Sequence, residues 1–308
     1  MAFSWGVDRP VARCLGDFLQ TAIKFMMPED GAVIEHGKSM DVLEPELLGL
    51  PYPACALEFR VHDDSTEGSL YFSELSPMWV CNKRIALCLR PHTLLGTPLE
   101  QYLAGSSAWE AMKRDNGGIV LAAINRLPHL WALNPVLMLL PRDQDLPELE
   151  RYQNTNWTGS QHRMGVSLVS LGGTNHTLAP LGSGAEIASQ TAFAGLSAEY
   201  YATINFLAVL SCGNVTIEEV PPPEALNKKR SRSGKLPLHA YREIIVTPYN
   251  GAQPSERAGG THASPRTHLR RGHIRRIGLK RIWIQNSIVN PGKREVVLPS
   301  YKVVPRYK

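Results

Sequence analysis

The chain changes character at Pro221-Pro222-Pro223, and the charge on either side of that break constrains the fold most. Residues 221–308 hold 19 Lys+Arg, 4 Glu and no Asp, a net of +15. Residues 1–220 hold 14 Lys+Arg against 24 Asp+Glu, a net of −10. A bipolar chain of this kind either carries its basic part to a polyanion or folds it back on the acidic body. A triple proline is a stiff, extended spacer. Three parts are therefore expected: an acidic α+β body over 1–220, a basic Pro/Lys/Arg-rich linker over 221–238, and a basic β-rich module over 239–308.

The body has the apolar content to fold. Across the 308 residues 43% are hydrophobic, which excludes a disordered chain. No apolar run approaches the roughly 18 residues of a spanning helix, so no membrane partner is expected. Met1 to Pro10 lacks a basic segment leading into an apolar stretch, so no secretion signal is expected either. The five cysteines are scattered, odd in number and without a CxxC pair. That pattern fits a reducing compartment rather than a disulfide framework or a cysteine zinc site.

Apolar spacing predicts a helix over 11–26, with Pro10 in its first turn, and a second helix over 197–210 stopped by Gly213. Residues 97–114 also read as helical. Strands are expected at 54–61, 69–74 and 84–90, the first two forming a hairpin around the polar stretch from Asp63 to Gly68. The apolar runs 118–126 and 135–140 fit a buried strand or a buried helix equally. A strand is expected at 165–171, followed by a Gly/Thr/Ser-rich loop over 172–184. Beyond the proline break, 228–235 reads as flexible and exposed, 239–247 as a strand and 251–266 as a polar loop. Short basic strands are expected at 272–277, 281–289 and 295–303, with turns at Gly278 and at Asn290-Pro291-Gly292. The fold class is α+β, a mainly antiparallel sheet with segregated helices and a basic C-terminal β-hairpin region.

Several motifs are weak on physical grounds. Residues 32–39 formally match a relaxed phosphate-loop pattern, but Val33 and Ile34 are β-branched, Glu35 repels phosphate and Pro45 interrupts a following helix. Glu29/Asp30 with Glu58-Phe59-Arg60 resembles the acidic pair of a metal-dependent nuclease, yet carboxylates on turns and strand ends are common. The sequons at Asn156, Asn175 and Asn214 carry no glycosylation reading without a secretion signal. No cofactor is expected and no metal site is assigned.

The strongest constellation is Ser264 to Arg276, where His268 and His273 lie among Arg266, Arg270, Arg271, Arg275 and Arg276. Arginine's planar fork matches phosphate oxygens two at a time and stays charged. Two imidazoles beside arginines are what metal-free RNA cleavage needs: one base, one acid and cations for the transition state. His262, His268 and His273 fit no common zinc spacing. Phosphate binding, catalysis and structural ion pairing to the acidic body all remain open at this point. Lys280, Arg281 and Trp283 follow directly, and Trp283 either stacks a base or fills a core.

The run Asn205 to Val215, then Asn227-Lys228-Lys229-Arg230, Gly234 to Leu238, the HxxRGHxR-type element at 268–275 and Arg281-Ile282-Trp283-Ile284 resemble a protein family of tailed phages and prophages. The resemblance covers 197–303. It implies a phage origin and life in the host cytoplasm, and it carries no chemistry.

The leading expectation is a phage protein associated with nucleic acid, DNA or RNA, through Arg266, Arg270, Arg271, Arg275, Arg276, Lys280, Arg281 and Trp283. One alternative is a metal-independent RNase using His268 and His273. Another is a phage inhibitor that contacts a host protein, with an acidic body that mimics nucleic acid and a basic tail that acts as internal glue.

Overall fold

The computed structural model describes residues 7–31, 33, 45–61, 83–126, 131–146, 149, 165–171, 182–247, 268–270, 273–278, 280–284 and 287–289. Helix α1 (Arg9–Thr21) carries Pro10 in its first turn, which the fixed φ of proline suits. It ends at Ala22, where ψ swings to 144°. The helix expected through residue 26 therefore stops short, and Ile23–Met26 forms strand β1. This strand pairs in parallel with β2 (Ala54–Arg60), from Ile23↔Cys55 to Met26↔Glu58. A ladder to a distant strand overrides the local helical spacing, as tertiary context commonly does.

The remaining sheet strands are β3 (Lys83–Leu89), β4 (Ile119–Arg126), β5 (Trp131–Leu140), β6 (Ser167–Ser170), β7 (Val215–Val220) and β8 (Tyr241–Val246). They form one eight-stranded sheet in the order β6-β5-β4-β3-β2-β1-β8-β7. All neighbours are antiparallel except β1 with β2 and β1 with β8. The two ambiguous runs are both strands. Nearly every residue of β4 is buried, so its sequence shows no alternation. Strand β5 tolerates Pro135 because the β4–β5 register shifts between Ala122 and Ile124. There Asn134 Oδ1 accepts the Val136 N–H at 3.0 Å.

The helix expected over 97–114 is two helices, α2 (Glu100–Leu103) and α3 (Ser107–Asp115). Gly105 turns between them at φ 91°. Ser106 caps α3 by accepting the Trp109 N–H. Helix α4 (Gly182–Leu210) is longer than its sequence pattern, starting inside the expected loop.

Two cores sandwich the sheet. On one face Val11, Leu15 and Leu19 of α1, with Tyr102, Trp109 and Met112, cover Leu87, Val120, Ala122 and Leu139. On the other, Leu196, Tyr200, Ile204 and Phe206 of α4 cover Leu57, Ala86, Leu121 and Met138. The helices thus lie on both faces. Gly31 lets a turn close against α4: its φ is +64°, and a Cβ there would lie 2.4 Å from Ala202 Cβ.

The α4 face also holds a buried ion pair. Arg84 Nη1 sits 3.3 Å from Glu199 Oε1, and Glu199 has no solvent exposure. Burial raises the Glu199 carboxyl above its ordinary value, and the Arg84 charge pulls it partly back. Burial likewise raises the thiols, Cys55 to about 12 and Cys212 to about 11.

The C-terminal strands form two small ladders. Strand β9 (His268–Arg270) pairs with β12 (Ser287–Val289), and β10 (His273–Ile277) pairs with β11 (Lys280–Ile284), all antiparallel. Gly278, at φ 61°, turns β10 into β11. The α+β class with a mainly antiparallel sheet and a C-terminal hairpin is therefore the observed one. The expected strands at 69–74 and 295–303, the loop at 251–266, and all of the phosphate-loop match except Val33 lie outside the described residues.

Candidate binding surface

The basic half is not one block. Strand β8 lies inside the main sheet between β1 and β7, so the sheet crosses the compositional breaks at 220 and 238. Opposite Glu219 in that ladder, Arg242 places Nη2 2.7 Å from its carboxylate. The same guanidinium lies 5.0 Å from the Tyr52 ring centroid. Here a tail arginine is joined to the body.

The β10–β11 hairpin is also anchored. Trp283 is 7% exposed and belongs to the α4-side core, with Ile274 packed against it. Asn214 clamps the hairpin: Nδ2 donates to the Trp283 and Thr247 carbonyls at 2.9 and 2.8 Å, and Oδ1 accepts the Trp283 N–H at 2.8 Å. The Gly213 N–H donates to the Arg281 carbonyl at 2.9 Å. The Trp283 ring is thus a core aromatic, and a buried ring offers no face to a base.

Register then sorts the cations. Arg276 pairs with Arg281 on the face shared with Ile274 and Trp283, whereas Arg275 and Lys280 belong to the opposite face. Arg275, Arg276 and Lys280 are exposed, and Arg281 is half-buried. The Arg281 charge opposes the upward shift of the Cys212 thiol, which places it near that core residue. His268 and His273 stand on different ladders, opposite Val289 and Ile284 respectively. Arg270 lies opposite Ser287, while Arg266 and Arg271 lie outside the described residues.

The segment expected to be a flexible, exposed linker is exposed and largely helical. Glu224–Arg232 forms helix α5, which buries none of its residues. A short helix is marginal by itself in water, so something local must hold it. Its C-terminus does so. The Lys235 N–H donates to Arg230 O at 2.9 Å and the Gly234 N–H to Ser231 O at 3.0 Å, with Gly234 at φ +64°. The chain then runs back along the helix. Asn227 pairs with the Leu238 backbone in both directions, at 3.0 and 2.7 Å, and Arg230 Nε donates to Leu236 O at 2.8 Å. Composition gave the basic character of this arm but not its order, because a helix polar all round shows no apolar stripe. Asn214 and Asn227 were also missed: each works by reaching a distant backbone, which leaves no spacing signal.

Glu58 pairs with Lys83, and among the described residues no group of three or more His, Cys, Asp or Glu could hold a metal ion. Among the described residues, no helix is long and apolar enough to cross a membrane. No match was found among curated proteins or among solved structures. The model of the AcrVA2-like family, described as the anti-CRISPR type V subtype A2 family, matches residues 34–291. That span covers every strand of the sheet except β1, together with α4, the basic arm and both C-terminal ladders. The match covers most of the chain, which therefore belongs to the phage-associated anti-CRISPR type V subtype A2 family.

Proposed function

We propose that this protein is a phage-encoded inhibitor of a host type V CRISPR defence, acting in the host cytoplasm by contact with a host protein of that system. The family match over residues 34–291 carries this reading. The packing supports contact as the mode of action. Trp283 is buried, Arg242 pairs with Glu219, and the hairpin is clamped by Asn214, so part of the basic module serves as internal glue.

The test is plating efficiency. A sensitive phage is plated on a host whose type V system carries a matching spacer, with and without this protein supplied. The protein should restore plating towards that of a spacer-free host. Plating that stays at the immune level ends the proposal. A host with an unrelated CRISPR type serves as the control and should stay immune.

A second reading is supported by the exposure of Arg275, Arg276 and Lys280 on the hairpin: contact with nucleic-acid phosphates. Its test is a salt series. Real phosphate contacts weaken with salt by about 0.9 log unit per contact per log unit for duplex DNA. Absence of DNA and RNA binding at low salt removes it.

A further inference from the structure

Residues 224–238 form a helix and a returning strap, and among the described residues no part of the body buries them. Helix α5 contains no buried residue, and residues 231–239 are all exposed. Its order comes from its own helix cap and from the Asn227 and Arg230 clamps. These hold the returning strap against the helix and leave the side chains outward. Leu226 is 43% exposed, Leu236 80% and Leu238 38%. These are three of the five large exposed hydrophobics among the described residues. Around them stand the exposed cations Lys229, Arg232 and Lys235.

A rigid element loses little conformational freedom when it docks, which favours binding. Phosphate backbone would satisfy the cations but would leave the leucines in water. A protein surface with an apolar centre and an acidic rim satisfies both, since interface cores are apolar and rims polar. We infer that this arm is a docking element for an acidic, partly apolar patch on the host type V effector protein; this rests on the inhibitor reading above. An RNA-guided effector holds its heteroduplex in a positively charged channel, which repels a cationic arm. The acidic patch therefore lies outside that channel, and guide RNA does not compete with the arm.

The test uses the full-length protein and the purified host type V effector, guide-free and guide-bound, with affinity measured at several salt concentrations. Two variants are compared with wild type. One is Lys229→Glu/Arg232→Glu/Lys235→Glu, and the other is Leu236→Ser. Both should keep the wild-type circular dichroism and Tm, because these side chains touch no core. The charge variant should bind roughly tenfold more weakly or worse and lose most of the salt dependence. Leu236→Ser should bind several-fold more weakly, and guide-bound effector should bind as well as guide-free effector. If both variants bind like wild type, the arm is not the docking element, and the inhibitor reading stands. A wild-type protein that restores plating yet binds no effector overturns the arm's partner alone. One that neither binds nor restores plating overturns both. Guide RNA that competes, or a charge variant that loses only DNA or RNA binding, also overturns the inference.

Discussion

Two basic segments that look alike in composition have opposite structural status. The β10–β11 hairpin carries Arg275, Arg276, Lys280 and Arg281, and the α5 arm carries Lys228, Lys229, Arg230 and Arg232. The hairpin drives Trp283 into the core and is stitched there by Asn214. Helix α5 buries none of its residues, and among the described residues the hydrogen bonds of its cap and clamps join residues of the arm itself. Charge count therefore says little about role. What separates the two is whether an apolar anchor sits between the cations and faces the body.

The largest effect expected from this contrast is on stability. Trp283→Ala should cost about 3–5 kcal/mol, the range for removing a large buried aromatic. Denaturant unfolding measures it, and a loss no greater than that of a surface substitution would mean the hairpin is not part of the core. Asn214→Ala should cost about 1 kcal/mol, because it removes part-buried hydrogen bonds to the Trp283 N–H and carbonyl and an exposed one to the Thr247 carbonyl. Hydrogen exchange at the Trp283 amide should rise with it, and unchanged protection would show that the clamp is incidental.

A smaller, pH-dependent effect belongs to the core pair. Burial raises the Glu199 carboxyl, so the folded state holds that proton more tightly than the unfolded chain. Its contribution is fully present below the ordinary glutamate range and is lost as pH rises through the raised folded value. The Tm of wild type minus that of Glu199→Gln should therefore fall as pH climbs from that range. A difference that grows with pH would show that the Arg84 charge outweighs burial.

The smallest effect is confined to the arm. Gly234→Ala puts a Cβ on a residue at φ +64°, a local cost of about 1–2 kcal/mol. Trypsin should then cut at Lys228, Lys229, Arg230 or Arg232 faster than in wild type, with the global Tm unchanged. A matching fall in Tm would mean the arm is coupled to the core after all.

The sequence was most legible where structure is local. Pro10 marked the start of α1, and β2 and β3 lie almost where their apolar runs placed them. It was least legible where distant partners decide. The helical spacing runs on past Ala22, yet Ile23 to Met26 joins a strand because Cys55 to Glu58 offers a parallel ladder. Strand β4 is buried so fully that no period of two survives, and in β5 the partly exposed residues, Trp131, Pro135 and Val136, do not alternate. In the candidate surface the cations were visible, but Trp283 is tied to Asn214, a residue far back in the chain, and packs in a core built by distant elements.

Plating on a type V-immune host tests the central claim most directly, with three forms of the protein supplied in turn. Wild type should restore plating, and so should Arg275→Ala/Lys280→Ala, which strips exposed charge from the anchored hairpin. Lys229→Glu/Arg232→Glu/Lys235→Glu, which reverses the arm, should not. Wild-type protein that leaves plating at the immune level would contradict the account, and a failed hairpin variant beside a working arm variant would reverse the roles assigned to the two segments.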